Sequence, residues 1–80
     1  MILVKFMVDE GYILSNKFRI AIFDEIVSGE TNIDRIIKKH RLIKSVSYRI
    51  IDDFISKGII RKDGNKYVLT DDGIKLSKQV

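Results

Sequence analysis

Apolar residues recur along this chain at two different periods, and the switch between them divides it into elements. From Ser15 to Ser28, "SNKFRIAIFDEIVS", Phe18, Ala21, Ile22, Ile26 and Val27 recur at helical spacing. The pattern predicts a helix that Ser15 or Asn16 caps and Gly29 stops. "TNIDRIIKKH" opens with Thr31 and has Asp34 three residues on, which reads as a capping box with Asp in place of Glu. Ile33, Ile36 and Ile37 then give a short second helix that faces inward and ends near His40. After a tight connection at Arg41-Leu42-Ile43 comes "KSVSYRIIDDFISKG". Its predicted cap is Ser45, its buried stripe is Val46 or Ser47 with Ile50, Ile51, Phe54 and Ile55, and its terminator is Gly58.

At Gly58 the period changes. Ile59 to Lys62 and Lys66 to Leu69 alternate like strands around Asp63-Gly64-Asn65. A turn at Gly64-Asn65 pairs Asp63 with Lys66 and Ile60 with Leu69. A turn at Asp63-Gly64 instead sets Arg61 opposite Lys66, a repulsive pair unless a phosphate lies between them. Thr70 caps a last short helix whose first turn carries Asp71 and Asp72, the sign that suits its positive end. The first fourteen residues, "MILVKFMVDEGYIL", fit two patterns: a hairpin whose loop is Asp9-Glu10-Gly11, or a helix that Gly11 ends.

Composition narrows the classes. With 80 residues the chain is one domain with a small core. There is no cysteine, so disulfides, thiolate metal sites and cysteine nucleophiles are excluded. A single histidine, His40, lacks carboxylates at ligand spacing, so no metal and no cofactor are expected, and His40 reads as a surface turn residue. The run "MILVKFMV" is too short for a membrane span and has no cleavage site after it, which points to a soluble, cytoplasmic protein. Adjacent Asp24 and Glu25 point apart on a helix and do not form an acid-base pair, and no phosphate loop or nucleophile-base set is present. An enzyme is therefore not expected, and no small-molecule ligand is evident.

Charge placement carries more than the net +4. Between Arg35 and Arg49 stand Arg35, Lys38, Lys39, Arg41, Lys44 and Arg49 with no acid among them, while Asp9, Glu10, Asp24, Glu25 and Glu30 lie earlier. Arg61, Lys62 and Lys66 add to the hairpin. Runs such as Lys38-Lys39 are most often a solvated face, and charges on a hairpin can simply protect an edge strand. What raises the functional reading above these is their clustering on one motif.

This order of elements resembles the winged helix-turn-helix domain of MarR- and ArsR-type transcriptional regulators. "TNIDRIIKKHRLIKSVSYRIIDDFISKGII" is similar to that family's second helix, turn, recognition helix and exit, and "YVLTDDGIKL" to its strand running into a capped final helix. The likeness covers residues 15 to 79. Its turn commonly has glycine where this chain has His40-Arg41, and Ser47 stands where an apolar residue is usual, so that a slightly rotated recognition helix is expected.

The resemblance implies an α+β fold: a three-helix bundle with a C-terminal β-hairpin wing and a short last helix over residues 15–80. It implies a DNA-binding transcriptional regulator. Lys44, Ser45, Ser47, Tyr48 and Arg49 would face the major groove, with Tyr48 stacking on sugars or donating to phosphate. Arg61, Lys62, Asn65 and Lys66 of the wing would meet the backbone or an adjacent groove, and Lys38, Lys39 and Arg41 of the second helix and turn would meet the backbone. Asp52 and Asp53 would accept from cytosine, pair with Arg49 or face solvent. A homodimer would use residues 1–14 with Leu76 and its neighbours. Two other readings stand beside this one: a winged-helix module that docks on a larger protein complex, and an architectural protein that binds duplex without sequence preference. The isoleucine- and lysine-rich, proline-free composition is associated with an AT-rich, archaeal-type genome.

Overall fold

The computed structural model of the chain describes residues 10 to 79. Residues 1 to 9, most of the expected dimerisation element and of the hairpin reading, lie outside that range. Within it, residues Glu10–Leu14 form a short helix, α1, so Gly11 neither turns a hairpin nor ends a helix. There follow α2 (Lys17–Val27), α3 (Ile33–His40), α4 (Lys44–Ser56), β1 (Ile60–Asp63), β2 (Lys66–Leu69) and α5 (Asp71–Ser77).

The caps explain most of these boundaries, and they correct two expectations. Asn16 accepts from the amides of Phe18 and Arg19 and starts α2. Helix α3 is capped by Asn32, whose Oδ1 accepts from Asp34 and Arg35 at 2.9 and 3.3 Å, and not by Thr31. Asn32 stands two residues before Asp34, closer to the free amides than Thr31, and Asp34 is thereby released from a capping-box role. Helix α4 starts at Lys44 behind Ile43 with no side-chain cap, so Ser45 lies inside the helix instead of capping it. At its other end Ile59 donates to the Phe54 carbonyl and Gly58 to that of Ile55, a Schellman closure that turns the chain into β1.

The core gathers Ile13, Ile22, Phe23, Ile26, Ile33, Ile36, Ile50, Ile51, Phe54, Ile59, Ile60 and Leu76. Phe23 and Phe54 meet edge to face with centroids 6.2 Å apart at its centre. Helix α2 packs against α1, α3, α4 and β2, so its buried arc is wide and centres on Ile22, Phe23 and Ile26. Val27, expected inside, is 42 % exposed at the helix end, and Ile55 lies at the exposed edge of the α4 stripe. Leu76, expected at a dimer contact, is buried in the monomer core.

The hairpin adopts the first of the two registers: Ile60 pairs with Leu69, Arg61 with Val68, Lys62 with Tyr67 and Asp63 with Lys66. Gly64 has φ of 63° and Asn65 is not in the left-handed region, the II′ pattern in which only the first central residue has positive φ. The base of the hairpin is tied twice. The Tyr67 amide donates to the Thr31 carbonyl just before α3, at 3.0 Å. Thr70 caps α5 by accepting from the Gly73 amide, while its hydroxyl points at the Gly58 and Ile59 carbonyls at the entrance to β1.

Candidate nucleic-acid interface

On α4 the residues divide cleanly by angle. Ser47, Ile50, Ile51 and Phe54 are buried. On the opposite side Ser45, Arg49, Asp52 and Ser56, spaced by four, three and four residues, form one exposed stripe along the helix. Lys44 is exposed at the first turn, and Tyr48 lies half-buried on the flank that faces α3. Among the described residues no ion pair involves Arg49, so its guanidinium is not committed to Asp52 or Asp53. Asp53 lies half-buried on the other flank, towards Tyr12.

Ser47 is not groove-facing. It is 0 % exposed, and its hydroxyl donates to the Ile43 carbonyl at 2.9 Å. A serine can fill this apolar position because the hydroxyl is small and finds an acceptor one turn back, so burial leaves nothing unpaired. The buried stripe of α4 therefore runs through Ser47, Ile50, Ile51 and Phe54.

Tyr48 is held from outside its own helix. Its hydroxyl donates to Oδ1 of Asp34 on α3 at 2.8 Å. Its proton is thereby committed, which removes the expected donation to phosphate. The bond to Asp34 raises the phenol's pKa above its ordinary value; burial, the carboxylate's charge and nearby Tyr67 add to the effect. Sequence reasoning missed this pair because Asp34 was legible only as a capping residue.

On α3, Asp34 reaches Tyr48 of α4, and Lys38 and, in the turn that follows, Arg41 are exposed. Lys39 points the other way. Its Nζ donates to Oε2 of Glu25 on α2 at 2.9 Å, and Nε2 of His40 lies 2.6 Å from the same oxygen. His40 is thus the last residue of α3, clamped to α2, and not a turn residue. Hydrogen bonds from His40 and Lys39 lower the Glu25 pKa. The left-handed position that the turn demands is filled by Arg41, at φ 54° and ψ 47°. An L-residue there costs about 1–2 kcal/mol relative to glycine, and in return the turn carries a cation at its tip. Behind that tip, His40, Arg41, Leu42 and Ile43 line a groove of about 450 Å³ with Lys17, Phe18 and Ala21 of α2.

The wing carries Arg61, Lys62, Asn65 and Lys66, all exposed. Arg61 approaches Asp63 at 3.9 Å on the same strand face, an exposed pair of small energetic weight. The Lys62 ammonium lies 5.9 Å from the Tyr67 ring. Because β2 is bonded to Thr31 ahead of α3 and the hairpin follows α4 directly, the wing is tied by backbone contacts to the start of α3 and to the end of α4. Among the described residues, no group of three or more His, Cys, Asp or Glu is placed to hold a metal ion. No described helix is long and apolar enough to cross a membrane.

A family model described as winged helix-turn-helix matches residues 16–80. No curated protein and no solved structure matches the chain significantly.

Proposed function

The chain belongs to the winged helix-turn-helix family, and from that premise we propose that it is a DNA-binding transcriptional regulator of MarR/ArsR type. Helix α4 enters the major groove with Ser45, Arg49 and Asp52 towards the bases and Tyr48 at their flank. Lys44, at the amino end of the helix, meets a phosphate that the free helix amides also attract. Lys38 and Arg41 lie along one strand's backbone, and Arg61, Lys62, Asn65 and Lys66 reach the adjacent groove or phosphates. Ser47 is left out of this proposed contact set because it is buried, and Lys39, exposed but paired with Glu25, is not counted among the phosphate contacts.

The observation that carries this reading is the outward stripe of α4, centred on Arg49, which makes no ion pair among the described residues. Lys38 of α3 and Arg41 of the turn are exposed as well, and a basic hairpin follows α4 directly. A guanidinium presented this way suits the O6 and N7 acceptors of guanine. We further propose that the protein works as a homodimer through the apolar segment that precedes α1, with α1 belonging to the DNA-binding domain because Ile13 is buried in its core; a dimer reads two half-sites about 34–36 Å apart.

A protein-docking module is the second reading. Asp52 in the middle of the α4 stripe and Ile43, 56 % exposed at the turn, favour it. Gel retardation of a random duplex at low salt separates the two. A DNA-binding domain shifts the duplex at micromolar protein, within the usual range for non-specific binding, whereas a docking module leaves it free. Selection of bound duplexes from a random pool then distinguishes a regulator, which enriches a defined and symmetric site, from an architectural binder, which enriches none.

A further inference from the structure

We infer that the Tyr48 hydroxyl, with its proton held by Asp34, acts as a hydrogen-bond acceptor towards the major groove, so that the base beneath it is an adenine or a cytosine. This rests on the proposed placement of α4 in the groove and adds the class of base that one position reads.

A phenol hydroxyl has a single proton and two lone pairs. Here the proton goes to Asp34 Oδ1 at 2.8 Å. Asp34 sits in the first turn of α3, where the helix amides favour a carboxylate. Among the described residues it takes part in no ion pair. What the Tyr48 oxygen still offers outward is lone pairs, and the carboxylate beside it is acceptor-only as well. The raised phenol pKa is the other face of the same contact, since the carboxylate holds the proton on Tyr48.

Such a surface repels phosphates and base carbonyls. In the major groove the amino groups that it can take are N6 of adenine and N4 of cytosine, whereas O6 and N7 of guanine and O4 of thymine are acceptors. Geometry adds selectivity. The Tyr48 ring is rooted on α4 and tethered at its far end to α3, so its hydroxyl is positioned before any partner arrives. Asp34 does not read the base itself. It is a positioning residue that decides the polarity of Tyr48.

The test is selection of bound duplexes from a random pool by the wild-type chain, Tyr48→Phe and Asp34→Ala, each first checked for folding by its thermal transition. Wild type should enrich adenine or cytosine at one position of each half-site. Tyr48→Phe, which keeps the ring, should weaken that preference about fivefold, the factor carried by one hydrogen bond, and leave the other positions alone. Asp34→Ala removes the acceptor, returns the phenol proton to the groove and should admit thymine or guanine at the same position. The inference is overturned, with DNA binding left standing, if wild type selects a defined site and neither substitution alters any position. It is overturned equally if the position sensitive to Tyr48 prefers guanine or thymine. If wild type enriches no duplex, the DNA-binding reading fails and this inference with it.

Discussion

The carbonyl oxygen of Ile59 fills the space where Gly73 would carry a side chain: a Cβ built there would lie 2.1 Å from that oxygen. The same oxygen accepts from the Thr70 amide at 3.0 Å. Helix α5 therefore sits directly on the entrance to the wing, and only glycine permits it. Gly73→Ala should lower stability by about 2–3 kcal/mol through overpacking against backbone, despite the ~1 kcal/mol that alanine gains in helix propensity. Urea unfolding checks this. A midpoint equal to wild type would show that α5 rides further from Ile59.

Thr70 joins three segments through one hydroxyl, which accepts from Gly73 and points at the Gly58 and Ile59 carbonyls. Thr70→Val keeps the shape and removes the bonds. We expect a loss of about 1–2 kcal/mol, the range for a lost cap. Amide exchange should speed up most at Gly73 and Ile74, with the Phe23–Phe54 core little affected.

The pH dependence follows from two contacts. Tyr48 holds its proton more tightly when folded, because it is bonded to Asp34. Its contribution is complete below the unfolded phenol's pKa of about 10 and is lost as pH rises through the higher folded value. Tyr12, raised chiefly by burial, adds in the same direction. Tyr48→Phe should therefore flatten the alkaline fall in stability without abolishing it. Glu25 has the opposite sign: its pKa is lowered by His40 and Lys39, so its contribution is present above the ordinary carboxylate range and disappears as pH falls through the lowered value. Glu25→Gln should remove part of the acid-side decline in a pH series of thermal melts.

Cations near the interface should not behave alike. Arg61→Ala or Lys66→Ala should each reduce the slope of log affinity against log salt by about one. Lys39→Ala should leave it unchanged, because Glu25 already neutralises that ammonium. Fluorescence anisotropy on a fixed duplex over a salt series measures this; equal slopes for all three would separate the wing from the phosphates. Arg49→Ala should cost about 1–3 kcal/mol on a selected site and much less on random duplex.

Arg41 adopts a conformation that favours glycine. Arg41→Gly relieves about 1–2 kcal/mol of strain and gives back about 1 kcal/mol as unfolded-chain entropy, so stability should stay within about 1 kcal/mol of wild type. Duplex affinity should nevertheless fall evenly across sequences. Unfolding and anisotropy on the same sample make the comparison, and a large stability change with unaltered affinity would assign the arginine a structural role.

Much of the architecture was legible one residue at a time. The order of α2, α3, α4, hairpin and α5 follows from helical period, caps and the change to strand alternation at Gly58, all of which act within a few residues. Gly64-Asn65 was legible as one of two turns, and the observed register is the one that keeps Arg61 away from Lys66. Tertiary structure decided what depends on how helices cross. It set Phe23 rather than Val27 at the core, because α2 is packed on several sides, and it drew Lys39 to Glu25 on another helix. It buried Ser47, since the Ile43 carbonyl one turn back accepts its hydroxyl as well as its amide, and it pressed α5 onto Ile59 so that Gly73 alone fits. It also joined Tyr48 to Asp34, fourteen residues apart in sequence. Period and capping report which face of an element is apolar; which atom meets a polar group across two helices is fixed by their crossing and depth, and no local pattern encodes that.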